Sequence, residues 1–305
     1  MVRAGANQDS WAASWSMAKS FTSALIGIAI EDGLIPGVDE PMTTYYPEWA
    51  GSERDTMTLR DVLQMSSGLD WVENYDPSSI AESDIIQQVI GEQDQLAYAS
   101  SQPAKAEPGS VWSYSSGDTM LLSGVLEQAT GMPVDEYAQE KIFDPLGIDQ
   151  VEWWRDARGH TLTHCCLDTT SRGFARFGLL YMRGGLWGDQ QIVPSDWVKD
   201  SREPAPESDG IDGFQWWLDH PDGVPDDIFS AQGHDGQFIY VIPSLDLVVV
   251  RNGTYVKNPG DPIADPNLFG KYPSDGLVAG QGTSPPADWD DSAFLTPVVQ
   301  SLTGG

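Results

Sequence analysis

One segment constrains the fold more than any other: Trp15 to Gly33, "WSMAKSFTSALIGIAIEDG". From Ser16 to Ile30 it carries the composition of a helix that is apolar nearly all round. Such a helix cannot lie on a surface and has to be enclosed by other elements, which demands several packed layers around it. Gly33, just after "ED", suits the left-handed residue that ends a helix. Yet this buried helix opens with a serine and, one turn on, spends one of only six lysines in the chain.

With 305 residues, the chain is long enough for one large domain or two lobes sharing a core. No run of 18 apolar residues occurs, which excludes an ordinary membrane span. The opening "MVRAGANQDSW" lacks the apolar stretch of a signal peptide. A cytoplasmic location is therefore expected, or a periplasmic or secreted one if a leader lies upstream of Met1. Acids outnumber bases 46 to 16, for a net charge of −30, so nucleic acid and anionic membrane surfaces are excluded as partners. The acids are scattered rather than gathered in a tail. We read them as a surface adapted to high salt, the alternative being an ordinary acidic protein.

Metal and thiol chemistry find little support. Cys165 and Cys166 are adjacent, which is awkward for a disulfide between them and insufficient for zinc. They are expected to be reduced, buried packing residues. His160, His164 and His220 show no ligand spacing and read as surface or loop residues. No metal and no organic cofactor is implied.

Helical patterns dominate the first two-thirds of the chain. "TLRDVLQMSSG" places Thr58 as N-cap with Asp61 completing a capping box before a glycine stop. "ESDIIQQVIGEQ" is a polar helix. "DTMLLSGVLEQATG" is apolar and ends at Gly131, "VDEYAQEKIFDPLG" closes at Pro145 and Gly147, and "TTSRGFARFGLLYMRGG" starts from Thr169 or Thr170. After Gly210 the pattern turns to strands: "FQWWLDH", "DIFSAQGH", "GQFIYVIP" and "LDLVVVRNG", with "PSLD" as one turn. Successive strands imply an antiparallel meander and an α+β fold. The segment 258–291 reads as a long surface loop, followed by a last helix, "SAFLTPVVQSL".

Three patterns carry chemistry. Ser16 and Lys19, three apart, share a helix face, and a desolvated lysine can take the proton of a serine in the first helical turn. The alternative is an N-cap serine with a snorkelling lysine. Tyr114, in "PGSVWSYSSGD", sits at a loop-to-helix junction where a side chain can be aimed at a site; Tyr98, in "YAS", is its rival and follows a polar stretch. In "QGHDGQFIYV", His234, Asp235 and Gly236 precede a strand, and the N–H groups of Gln237 and Ser16 would form an oxyanion hole. Trp216 and Trp217 point opposite ways, one to the core and one toward an acyl pocket.

Taken together, "SWSMAKSFTSALIGIAIEDGLI", "TLRDVLQMSSGLDW", "GSVWSYSSGDTMLLSGVLEQATGM" and "FARFGLLYMRGGLWGDQQIVPSDWV" resemble the serine β-lactamase-like family, most closely its 6-aminohexanoate-dimer hydrolases and related esterases. The resemblance runs from about Trp11 to Gly253. It implies a β-lactamase-like fold, an antiparallel sheet flanked by helices plus a mainly helical subdomain. Residues 1–40 and 175–305 would form the lobe with the nucleophile helix and sheet, and 41–174 the helical lobe. It also implies Ser16 as acylated nucleophile, Lys19 as general base, Tyr114 as proton donor to the leaving group, and Gln237 as oxyanion donor. His234 and Gly236 stand in the place of the family's Lys-Thr-Gly motif. Tyr75 is similar in placement to a tyrosine that closes over the substrate amide, and Asp84 to a group recognising a substrate ammonium. Trp217 would line the acyl pocket.

Two departures bear on function. Histidine in place of lysine at position 234 argues against β-lactams and peptidoglycan stem peptides. The Ser-x-x-Lys pattern begins at residue 16, whereas relatives carry several tens of residues before it, including strands of the main sheet, so those strands are expected to be missing. The reading is a serine hydrolase of small linear amides or carboxylic esters, a monomer or homodimer. The alternatives are a degenerate or truncated binding protein of the same fold and, below it, a β-lactamase or DD-peptidase.

Overall fold

The computed structural model describes residues 9–75, 82–253 and 290–304. Nearly all of the anticipated 258–291 loop lies outside them. Strand β1 (Trp11–Ala13) leads through a 3-10 turn, Trp15–Met17, into α1 (Ala18–Glu31). Every α1 residue from Ala18 to Ala29 is buried, as an all-round apolar sequence requires. Phe21 stacks on Phe177 with ring centroids 3.6 Å apart. Gly27 lets the Trp197 indole lie against the helix, where a Cβ would come within 2.3 Å of the ring. Gly33, at φ 72°, follows the end of the helix.

Thr58 and Asp61 cap α2 (Leu59–Leu63) reciprocally. The helix stops earlier than its glycine suggested: Met65 takes the left-handed turn at φ 51°, and Gly68 instead passes close to the backbone, where a Cβ would sit 2.3 Å from the Ala106 carbonyl oxygen. Next come α3 (Asp84–Ile86), running into a π turn, and α4 (Gln95–Ser101). Ser115 caps α5 (Ser116–Thr130), which ends at left-handed Gly131. The pair α6 (Val134–Ala138) and α7 (Asp144–Leu146) is joined by a π turn; Pro145 opens α7 instead of closing it, and Gly147 ends it.

Strands β2 (Val151–Trp153) and β3 (Leu167–Thr170) follow, then α8 (Ser171–Met182), capped by Thr170. A small hairpin of β4 (Leu186–Trp187) and β5 (Gln190–Gln191) precedes α9 (Ser195–Asp200). The meander is β6 (Phe229–Gly233), β7 (Gln237–Ile242) and β8 (Leu247–Arg251), and α10 (Asp291–Thr303) comes last.

The meander pairs antiparallel in the order β6-β7-β8. All six β7 residues are buried because both faces are covered. Ile239 and Val241 join the main core with α1 and α8, while Phe238, Tyr240 and Ile242 pack with Leu295 and Val299 of α10. A second sheet, β1-β3-β2, was not anticipated; strands of three or four residues are too short to show alternation.

Three further expectations are corrected. "FQWWLDH" is not a strand: Gln215 lies at φ 61° and breaks it, leaving isolated bridges from Trp217 to Asp212 and Ser230. Cys165 and Cys166 are joined by a disulfide, in a turn where Cys166 is left-handed at φ 65°. His164 is buried, not a surface residue, because the same turn is folded beneath α1.

Candidate active site

Ser16 occupies the middle of the 3-10 turn that heads α1, where backbone N–H groups lack intrahelical acceptors. It is half-buried, while Lys19 is sequestered. Trp15, just before the serine, is held at φ 47°, a strained conformation for a tryptophan. The turn is pressed against the end of β6. Gly233 permits this, since a Cβ there would sit 2.2 Å from the Ser14 carbonyl oxygen.

The Lys19 ammonium donates to Ser116 Oγ at 2.9 Å and to the His164 carbonyl at 2.9 Å, and lies 3.4 Å from Ser16 Oγ. Burial pushes its pKa down to about 8, against the opposing pull of Glu73 and Asp118. About a tenth of such a lysine is the neutral amine at pH 7, enough to serve as a base. His164 is held far below its usual range by burial and by Lys19, so its ring is neutral.

Tyr114 precedes the Ser115 cap of α5, and Lys19 Nζ lies 5.1 Å from its ring centre. Burial, reinforced by Glu73 and Asp212, raises the phenol's pKa, while the neighbouring Ser16 hydroxyl lowers it. The phenol thus keeps its proton at neutral pH. Trp217 stacks on Tyr114 with centroids 5.6 Å apart. Trp216 turns fully into the core.

Tyr75 sits at the rim. Its ring is partly exposed and packs against His234 at 5.2 Å, its hydroxyl donates to Glu73 at 2.5 Å, and His234 also meets Trp15 at 5.6 Å. Gly236 (φ 75°) and Gln237 form the β6–β7 corner, with Gln237 paired to Gly233 across the hairpin. Asp84 is held by two neighbours. Its carboxylate accepts from the Val72 N–H and the Tyr98 hydroxyl, both at 2.7 Å, and so ties the Tyr75 segment to α4.

Sequence reasoning missed Glu73, Asp212 and Gln215, and it took Ser116 only as the residue standing where many relatives carry asparagine. Glu73 accepts from the Ser116 N–H at 3.0 Å, the Ser116 hydroxyl at 2.7 Å and the Trp71 indole at 2.5 Å. Ser116 links that carboxylate to Lys19. Asp212 and Gln215, both buried, line a crevice with Ser16, Lys19, Ser20, Tyr114 and Trp217. Glu73, Asp212 and Gln215 are carried to the site by loops and have no local mark, whereas Ser116 opens α5 two residues after Tyr114. A larger groove of about 540 Å³, by Asp135, Trp153 and Arg155, shares no residue with this crevice.

A serine whose hydroxyl adjoins a buried amine and a protonated phenol has a base and a proton donor at hand for acyl transfer. The fold is that of the beta-lactamase family, a family of serine hydrolases, and the beta-lactamase family model matches residues 2–268. The chain belongs to that family. It is 26% identical over 270 residues to the 6-aminohexanoate-dimer hydrolase of Paenarthrobacter ureafaciens, covering 82% of this chain and 67% of that protein. Among solved structures, it resembles a candidate 6-aminohexanoate-dimer hydrolase from Bacillus anthracis, with TM-score 0.69 and 24% identity over 81% of this chain and 68% of the other. A D-stereospecific amidohydrolase from Streptomyces shares the fold, with TM-score 0.61 and 18% identity over 78% and 80% of the two chains. No helix among the described residues is long and apolar enough to cross a membrane.

Proposed function

We propose that the protein cleaves small linear amides or carboxylic esters through an acyl-enzyme on Ser16. The observation that carries this reading is Lys19: a buried amine with its pKa lowered to about 8, 3.4 Å from the Ser16 hydroxyl. In its neutral form Lys19 takes the serine proton as Oγ attacks the carbonyl. The backbone N–H groups of Ser16 and Gln237 receive the oxyanion, and Tyr114 gives its proton to the departing amine or alcohol. Water then releases the acyl group. Tyr75 and His234 line the approach, and Trp217 bounds the acyl side. The histidine at 234 offers no fixed positive charge of the kind a substrate carboxylate would seek, which favours uncharged acyl groups over β-lactams.

The test is intact-mass and peptide mapping after treatment with a fluorophosphonate. A single adduct on Ser16, lost in Lys19→Ala, is expected. A folded chain that takes no adduct overturns the reading.

A further inference from the structure

The crevice beside Ser16 extends one helical turn below it, to Ser20, and measures about 10 Å³, the room one water molecule needs. Its walls carry Asp212 and Gln215, as well as Ser20 and Gln232, polar residues that acylation does not use. The Gln215 amide is 3% exposed; its oxygen accepts from the Thr119 hydroxyl at 3.0 Å, and its Nε2 has no hydrogen-bond partner among the described residues. Leaving such a buried donor unmatched is costly, and its backbone is held in the left-handed region at φ 61° besides. The Asp212 carboxyl is 2% exposed and is fixed by the Trp112 indole N–H at 3.2 Å. Its backbone is tied in turn: the N–H of Asp212 bonds the Ser208 hydroxyl, and its carbonyl accepts from the Ala205 N–H.

Asp212 and Gln215 thus border, with Ser16 and Lys19, a space the size of one water, and carboxyl and amide are groups that can accept from and donate to a single water oxygen. We infer that Asp212 and Gln215 hold the hydrolytic water that releases the acyl group from Ser16. This rests on the acyl-enzyme reading above. Gln215 Nε2 donates to the water oxygen and Asp212 accepts one of its hydrogens. The water oxygen bonds to the acyl carbon, its other proton passes to neutral Lys19, the carbon–Oγ bond breaks, and Ser16 Oγ recovers that proton as the carboxylic acid leaves. Both residues act as positioning groups for the second half of the reaction and leave the first half to Ser16, Lys19 and Tyr114.

The experiment uses p-nitrophenyl acetate with the full chain and with Asp212→Asn and Gln215→Glu, which preserve side-chain shape. kcat/KM reports acylation alone, whereas kcat and the acetylated fraction in rapid-quench mass spectra report release. Each variant is expected to keep kcat/KM within about threefold, to lose roughly tenfold or more in kcat with KM falling in proportion, and to accumulate acetyl-Ser16. Loss of kcat/KM and kcat together, or neither, in variants that melt as the parent does, overturns the inference. If one variant does not fold, the other decides alone. A parent chain that neither releases p-nitrophenol nor becomes acetylated overturns the functional reading itself, and this inference with it.

Discussion

Glu73 grips Ser116 from two sides, accepting its N–H at 3.0 Å and its hydroxyl at 2.7 Å. Ser116 Oγ in turn accepts from Lys19 Nζ at 2.9 Å, so a carboxylate is coupled to the base through one hydroxyl.

That coupling sets a pH dependence. The active form of Lys19 is the neutral amine, so kcat/KM should rise with pH through about 8. Glu73 opposes the effect of burial by favouring the ammonium. Removing its charge in Glu73→Gln should therefore shift the acid limb of the profile to lower pH. Ester hydrolysis followed from pH 5 to 10 checks this, and an unmoved or alkaline-shifted limb contradicts it.

Tyr114 should matter in proportion to how badly the leaving group needs a proton. Tyr114→Phe is expected to slow hydrolysis of an unactivated amide by about 10²–10⁴-fold. A p-nitrophenyl ester, whose leaving group departs as an anion, should lose far less. Equal losses on the two substrates would remove Tyr114 from the proton path.

Gly233 is the contact that seats the nucleophile turn. In Gly233→Ala the new Cβ would stand 2.2 Å from the Ser14 carbonyl oxygen, against backbone that cannot rotate away. A destabilisation of about 1–3 kcal/mol is expected, with fluorophosphonate labelling of Ser16 falling even below the melting temperature. Thermal melts and labelling rates measured side by side test both halves.

Asp168 offers a stability test away from the chemistry. It is buried on β3 directly opposite Glu152 of β2, and burial, with that like charge, raises its carboxyl to about 7. A folded-state value above the unfolded one means this group's stabilising contribution is complete below the unfolded value near 3.8 and is lost as pH rises through about 7. Asp168→Asn should thus gain on the parent chain between pH 5 and pH 8, by roughly 2–3 kcal/mol from a two-unit span. Denaturant melts at the two pH values measure it, and a pH-independent difference would refute it.

The sequence by itself determined the elements whose causes are local. The apolar face count of α1, the Thr58–Asp61 capping box, the Gly131 and Gly147 stops and the β6-β7-β8 meander follow from periodicity and turn chemistry within a few residues. The Ser16–Lys19 pair was legible because helical geometry alone puts residues three apart on one face. Only the tertiary structure decided the rest. Glu73, Ser116, Asp212 and Gln215 reach the site from three separate segments. Asp84 is tied to Val72 and Tyr98. The three-stranded sheet β1-β3-β2 joins strands more than 130 residues apart in the chain, and Cys165 and Cys166 close a bond that spacing argued against. Such outcomes depend on which distant backbones are packed together, and on one left-handed residue such as Gln215 or Cys166 redirecting a loop. Local propensity holds no record of either, because the energy that fixes them comes from burial and pairing across the whole core.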